Sequence, residues 1–179
     1  MKYKSVFDIM GPIMVGPSSS HTAGAVRIGQ IARRIFGMEP EEIHIHFYGS
    51  FAETYKGHAT DIAVIAGLLN FETDDSRIRD AIEIAKKKGI HIKFYTEEMV
   101  PAHPNTLQIK LVKGNETLEL TGVSVGGGAV QITELNGFDL NLSGENPAML
   151  IYHIDAYGVI ASVAGILANY KINISKMNV

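Results

Sequence analysis

Apolar residues recur along this chain at two periods, and the places where one period gives way to the other mark its elements. From Ala25 to Phe36, Ala25, Ile28, Ala32 and Ile35 stand three or four apart. Arg27, Gln30, Arg33 and Arg34 fill the opposite side, which predicts an amphipathic helix. Residues 43–48 alternate apolar and polar as a half-buried strand does. The block Ile62 to Leu69 is apolar throughout, opens behind Asp61 and stops at Asn70, which predicts a buried helix. Helical spacing returns over 75–88 (Ile78, Ala81, Ile82, Ala85) and Gly89 closes it. Residues 90–95 then read as a strand. Thr106–Val112 and Thr117–Val123 predict a hairpin across Lys113-Gly114-Asn115-Glu116. Residues 125–134 read as a continuing strand entered through Gly126-Gly127-Gly128, where glycine permits a bulge or a close backbone approach. A short strand over 138–142 follows, and residues 5–10 read as a short helix or turn stopped by Gly11-Pro12.

Ser143-Gly144-Glu145-Asn146-Pro147 is polar and glycine-containing, as a linker is. Beyond it the pattern restarts: strand over 148–154, turn at Asp155-Ala156-Tyr157-Gly158, helix over 159–170, strand over 172–179. This predicts one βαβ crossover. Two parallel strands and one helix are too little to stand alone, so the unit must pack on the first domain, pair with a second copy, or be half of something larger. The expected class is α+β, with a first domain over 1–143 and a second over 148–179. Four to six strands and three helices are expected in the first.

Composition narrows the function. A hydrophobic fraction of 46% with 20% charged residues describes a globular chain. The net charge of -3 supplies no basic stripe for phosphates, so nucleic acid is not an expected partner. The one basic run, Lys86-Lys87-Lys88, closes a predicted helix, where cations complement the negative end. Cysteine is absent, which removes disulfides, thiolate nucleophiles and any iron–sulfur cluster held by this chain's own thiolates. No stretch has the layout of a signal peptide or the length of a membrane span, so a soluble, cytoplasmic protein is expected.

Candidate chemistry gathers at helix starts. Gly16-Pro17-Ser18-Ser19-Ser20-His21-Thr22-Ala23-Gly24 runs directly into the first long helix. One hydroxyl suffices to cap it, which leaves two serines and His21 unexplained. A helix N-terminus attracts anions and disfavours imidazolium, so His21 should lean toward the neutral ring. Gly57-His58-Ala59-Thr60-Asp61 repeats the arrangement at the second helix. Pro101-Ala102-His103-Pro104-Asn105-Thr106 holds a third histidine and an asparagine between prolines that fix the backbone. His44 and His46 share one strand face at metal-chelating spacing, but no third ligand is near and a solvated face is preferred. No metal ligands are assigned, and a metal-dependent hydrolase is the weakest of the readings.

These motifs resemble the beta chain of the iron–sulfur-dependent L-serine dehydratases: Ser5-Val6-Phe7-Asp8-Ile9, Gly-Pro-Ser-Ser-Ser-His-Thr from Gly16, the run Phe47 to Asp61, and His103-Pro-Asn-Thr, in that order across the chain. The resemblance implies a first domain similar to the allosteric substrate-binding domain of some phosphoglycerate dehydrogenases. It also implies a final unit like the opening half of a ferredoxin-like ACT domain. Ala59 stands where the family pattern has a second glycine, a change expected to leave the backbone path intact. The implied reaction converts L-serine to pyruvate and ammonia, with a four-iron, four-sulfur cluster on an alpha partner subunit. His21, His58, Thr60, His103 and Asn105 would be catalytic; Ser18, Ser19, Ser20, Thr22 and Asp61 would bind substrate. Asp155 and Gly158 would contact an effector in an intact ACT pair, and homo-association through that half is expected. The competing reading is a purely regulatory amino-acid-binding module without catalytic residues.

Overall fold

The computed structural model describes residues 11–144 and 146–179 and divides into two units, Met1–Glu145 and Asn146–Val179. The helix or turn expected at 5–10 lies outside the described residues.

The first unit is built on a six-stranded mixed sheet in the order β2-β1-β3-β4-β5-β6. Its strands are β1 (Glu42–Tyr48), β2 (His91–Glu97), β3 (Asn105–Lys113), β4 (Glu116–Gly126), β5 (Ala129–Leu135) and β6 (Phe138–Leu142). β1 and β2 are parallel and every other neighbouring pair is antiparallel. Parallel neighbours need a long crossover. Here it carries α2 (Gly49–Thr54), α3 (Thr60–Leu68), a tight 3₁₀ turn (Ser76–Asp80) and α4 (Ala81–Lys87), while α1 (Gly24–Phe36) precedes β1.

Period-two alternation decides the faces. Ile43, Ile45 and Phe47 of β1 and Ile109 and Leu111 of β3 are fully buried in one core with Val26 and Ile28 of α1 and Val64 and Ile65 of α3. His44 and His46 fall on the opposite face, half-buried. They stack on Tyr95 rather than pair around a metal: the His46 ring lies 4.4 Å from it and His46 Nδ1 is 2.6 Å from a Glu97 oxygen.

α1 and α3 approach through glycines. A Cβ on Gly67 would overlap the Val26 carbonyl oxygen and lie 2.9 Å from the Gln30 nitrogen; one on Gly29 would overlap the Val64 carbonyl. Buried Gln30 ties the pair further, donating from Nε2 to the Phe71 carbonyl at 2.9 Å. The two helices that begin at the serine–histidine and glycine–histidine motifs are thereby locked together, the first half of α1 against the second half of α3.

Three elements differ from the sequence expectation. Gly126-Gly127-Gly128 is the turn of a β4–β5 hairpin, not the entry to one continuous strand, and all three glycines have positive φ. A short helix, α2, follows β1 directly where no helix was expected. In the second unit α5 (Val159–Asn169) forms as expected, but 148–154 and 172–179 make no ladder, so the βαβ pairing is absent there. An extended segment without a hydrogen-bonding neighbour gains no sheet energy. No residue of α5 is buried, although its sequence is almost wholly apolar. Asp155 and Gly158 lie on the wall of a hollow shared with His153, Val159 and Val179. No described helix is long and apolar enough to cross a membrane.

Candidate active site

Before α1 the chain makes one wide turn over Ser19–Ala23, in which Gly24 N–H reaches back five residues to the Ser19 carbonyl. Turns of this width are rare and recur at functional sites. Ser18 caps it: its Oγ accepts from His21 N–H at 3.1 Å. One serine is the cap, as sequence reasoning required, while Ser19 and Ser20 remain half-buried beside it. A Cβ on Gly24 would collide with the Ser124 side chain, so glycine lets the turn settle against β4.

The wide turn aims His21 at α2 and at the start of α3. Its ring lies edge-on to Phe51 with centroids 5.0 Å apart, and edge-on to His58 at 4.6 Å. Each ring nitrogen has a hydroxyl neighbour: Ser18 Oγ is 3.4 Å from Nδ1 and Ser50 Oγ is 3.3 Å from Nε2. Burial, and then the nearby His58, hold His21 below the ordinary imidazole range. His21 is therefore neutral near pH 7 and able to take up a proton, and the two rings disfavour carrying charge together.

His58 arrives on a strained backbone. Ala59 has φ 55° and ψ 34°, a left-handed conformation that costs an alanine about 1–2 kcal/mol. Where Ala59 stands in place of the second glycine, the left-handed backbone carries strain that glycine would not bear. Thr22 Oγ1 donates to the His58 carbonyl at 3.4 Å, joining the two helix starts. Asp61 is buried and its carboxylate is spoken for. It accepts from Lys56 Nζ at 2.8 Å and from Ile62 N–H at 2.9 Å, so it fixes the first turn of α3.

The loop before β3 is tied to the residue beside His21, while its own His103 is held by neighbours within the loop. Ser50 N–H donates to the Pro104 carbonyl at 2.8 Å, which sets the loop beside the residue that touches His21. Gly49 permits this with φ 53°, since a Cβ there would sit 2.7 Å from the same carbonyl. His103 Nδ1 accepts from Asn105 N–H at 3.2 Å, so its proton resides on Nε2. Asn105 Nδ2 donates to the Ser124 carbonyl at 3.4 Å. His58 Nδ1, Thr60 Oγ1 and Ser124 Oγ are buried side-chain atoms with no hydrogen-bond partner. Ser50 and Ser124 were not singled out from sequence. Ser50 follows a strand directly through a glycine, a signal of close backbone approach that was available.

Comparison with known proteins supplies the family. The family model described as serine dehydratase beta chain matches residues 5–88. A Bacillus subtilis protein named probable L-serine dehydratase, beta chain, is 61% identical over the whole chain and 81% of its own length. The L-serine dehydratase beta chain of Peptoniphilus asaccharolyticus is 41% identical over 97% of this chain and 79% of its own. The chain belongs to the serine dehydratase beta-chain family. An Escherichia coli protein named L-serine dehydratase TdcG is 37% identical over 70% of this chain, which corresponds to only 33% of that longer protein.

The four-iron, four-sulfur cluster expected on an alpha partner would find no thiolate ligand on this chain. It has no cysteine, and among the described residues no group of three histidine, cysteine or acidic side chains is placed to hold a metal.

Proposed function

We propose that this chain works as the beta subunit of L-serine dehydratase, converting L-serine to pyruvate and ammonia together with an alpha subunit that carries the iron–sulfur cluster. The observation that carries the reading is the pair of imidazoles, His21 and His58, 4.6 Å apart at the starts of two interlocked helices in a chain of this family. The reaction removes the Cα proton of serine and breaks Cβ–O, so water leaves across one C–C bond. The resulting aminoacrylate tautomerises and takes up water to give ketone and ammonia. A neutral imidazole is suited to receive the Cα proton, and the depressed basicity of His21 keeps it in that form. His58, with a buried and unpartnered Nδ1, is the companion group through which the proton passes or is shared. Ser18, Ser19, Ser20, Thr22 and the open N–H groups of the wide turn suit a carboxylate. Thr60 and Asn105 orient the neighbouring imidazoles, His103 offers Nε2–H, and Asp61 acts by holding the helix start. Departure of hydroxide needs an electrophile that this chain does not carry.

Unit two is assigned homo-association through its bare apolar helix, with Asp155 and Gly158 as effector contacts. A cytoplasmic setting accords with the absence of cysteine. The test mixes purified alpha subunit with the parent chain, with His58→Ala and with His21→Ala and follows pyruvate. Loss of turnover with assembly intact supports the reading. Full turnover by both variants, or by the alpha subunit alone, leaves only a regulatory module.

A further inference from the structure

The backbone of Ser50 is fully engaged. Its N–H donates to the Pro104 carbonyl at 2.8 Å, its carbonyl accepts from Thr54 Oγ1 at 2.6 Å, and Gly49 before it bridges to Asn105. The end of β1, the first turn of α2 and the start of β3 therefore fix this residue together. What remains is a half-buried hydroxyl, with Oγ 3.3 Å from His21 Nε2. Phe51, fully buried, stands edge-on to the same ring.

The two ends of the His21 ring are served differently. Ser18 Oγ, 3.4 Å from Nδ1, already accepts from His21 N–H at 3.1 Å, so its hydrogen is the part left to give. Among the described residues Ser50 Oγ accepts from no other group, so both its lone pairs are open to Nε2–H. A histidine's tautomer is set by the bond that one of its nitrogens makes. With the proton held at Nε2, Nδ1 is bare and lies on the side of Ser18, where the serine run suits a carboxylate. Burial and the nearby His58 lower the basicity of His21, and an acceptor at Nε2 works against that fall.

We infer that Ser50 is a positioning residue whose hydroxyl accepts from His21 Nε2–H, fixing the ring and leaving Nδ1 as the nitrogen that takes the substrate proton. This rests on the dehydratase reading above, in which His21 is the base. Once Nδ1 is protonated the ring is an imidazolium, and the bond from Nε2–H to Ser50 becomes charge-assisted and stronger. Ser50 thus favours the product of the proton transfer more than its start, without touching substrate.

The experiment follows the ring nitrogens of the full chain by 15N NMR across pH, with His21→Gln to identify the His21 signals. The neutral ring in the parent should carry its proton on Nε2. Ser50→Ala should populate both tautomers and lower the His21 midpoint by roughly half a pH unit to one. With alpha subunit added, kcat should fall about tenfold or more while KM stays within about twofold, as fits an interaction made in the transition state. Ser50→Thr keeps a hydroxyl and should restore both the tautomer and most of kcat. A merely structural serine would lower Tm in Ser50→Ala and leave the tautomer alone. A parent ring protonated on Nδ1 overturns the inference, and that measurement needs no Ser50 variant. So does a tautomer and midpoint unchanged in Ser50→Ala, or a changed tautomer with kcat unaffected. Were the parent with alpha subunit to form no pyruvate, the dehydratase reading would fail while the ring nitrogens still reported the contact.

Discussion

Replacing Gly67 with alanine tests whether the α1–α3 contact holds the two imidazoles in place. An alanine in a helix interior is normally favoured over glycine by about 1 kcal/mol. Here the added Cβ would overlap the Val26 carbonyl oxygen and stand 2.9 Å from both the Val26 carbonyl carbon and the Gln30 nitrogen. Carbon contacts settle near 3.5 Å or beyond, so the helices must part by roughly an ångström. Backbone atoms cannot rotate aside, so the cost lies in the upper part of the ~1–3 kcal/mol that overpacking incurs. The net result is a loss of about 1–2 kcal/mol, or a fall in Tm of roughly 3–8 °C. Gly165 in α5 is the matched control, because nothing lies within 4 Å of a Cβ there. Gly165→Ala should raise helix content without penalty. The assay is thermal unfolding followed by circular dichroism, paired with serine turnover in the presence of alpha subunit. Gly67→Ala should also lose turnover, since both helices begin at a histidine of the pair. A Tm at or above the parent's would refute the argument.

Ala59→Gly removes left-handed strain of about 1–2 kcal/mol and adds back about 0.5–1 kcal/mol of chain entropy; thermal unfolding should show a small gain, and a loss would mean the strain is absent. His21 is held below the ordinary imidazole range, so on acidification the unfolded chain takes up its proton first. The stability due to His21 is thus complete above the ordinary value and lost as pH falls through the lowered one. Between about pH 8 and 5 Tm should drop more steeply in the parent than in His21→Gln, and parallel profiles would contradict the assignment. Lys56→Met leaves the buried Asp61 carboxylate unpaired and should cost about 1–2 kcal/mol in urea unfolding; adding Asp61→Asn should recover most of it.

Much of the first unit was legible because each signal was local. Ile28 and Ala32 in α1, or Ile43 and Ile45 in β1, announce their period within a few residues, and burial follows it. What escaped notice depends on residues far apart in sequence. The helix at Gly49–Thr54 is short, and its place is set by the Ser50–Pro104 hydrogen bond, which no window of local pattern contains. The wide turn at Ser19–Ala23 carries the same residues an ordinary capped helix would carry; its width is settled by Gly24 seating against Ser124, a hundred positions away. The motifs located His21 and His58, and the structure alone placed one ring against the other. The ion pair of Asp61 with Lys56, five residues earlier, depends on side-chain reach that the apolar pattern does not record. The strands expected at 148–154 and 172–179 needed an edge to pair with, and a propensity cannot supply one.

The hydrogen bond from Gly24 back to Ser19 spans one residue more than an α-helical turn does. Each residue of an α-helix advances side chains by about 100°. Deleting a single residue between Ser19 and Ala23 would restore the ordinary ladder and swing the His21 ring by about that angle, out of reach of its companion. The chemistry at this end of the molecule thus stands one codon away from a plain helix cap. One deletion there would erase it, and would also unseat Gly24 from Ser124 of the sheet beneath.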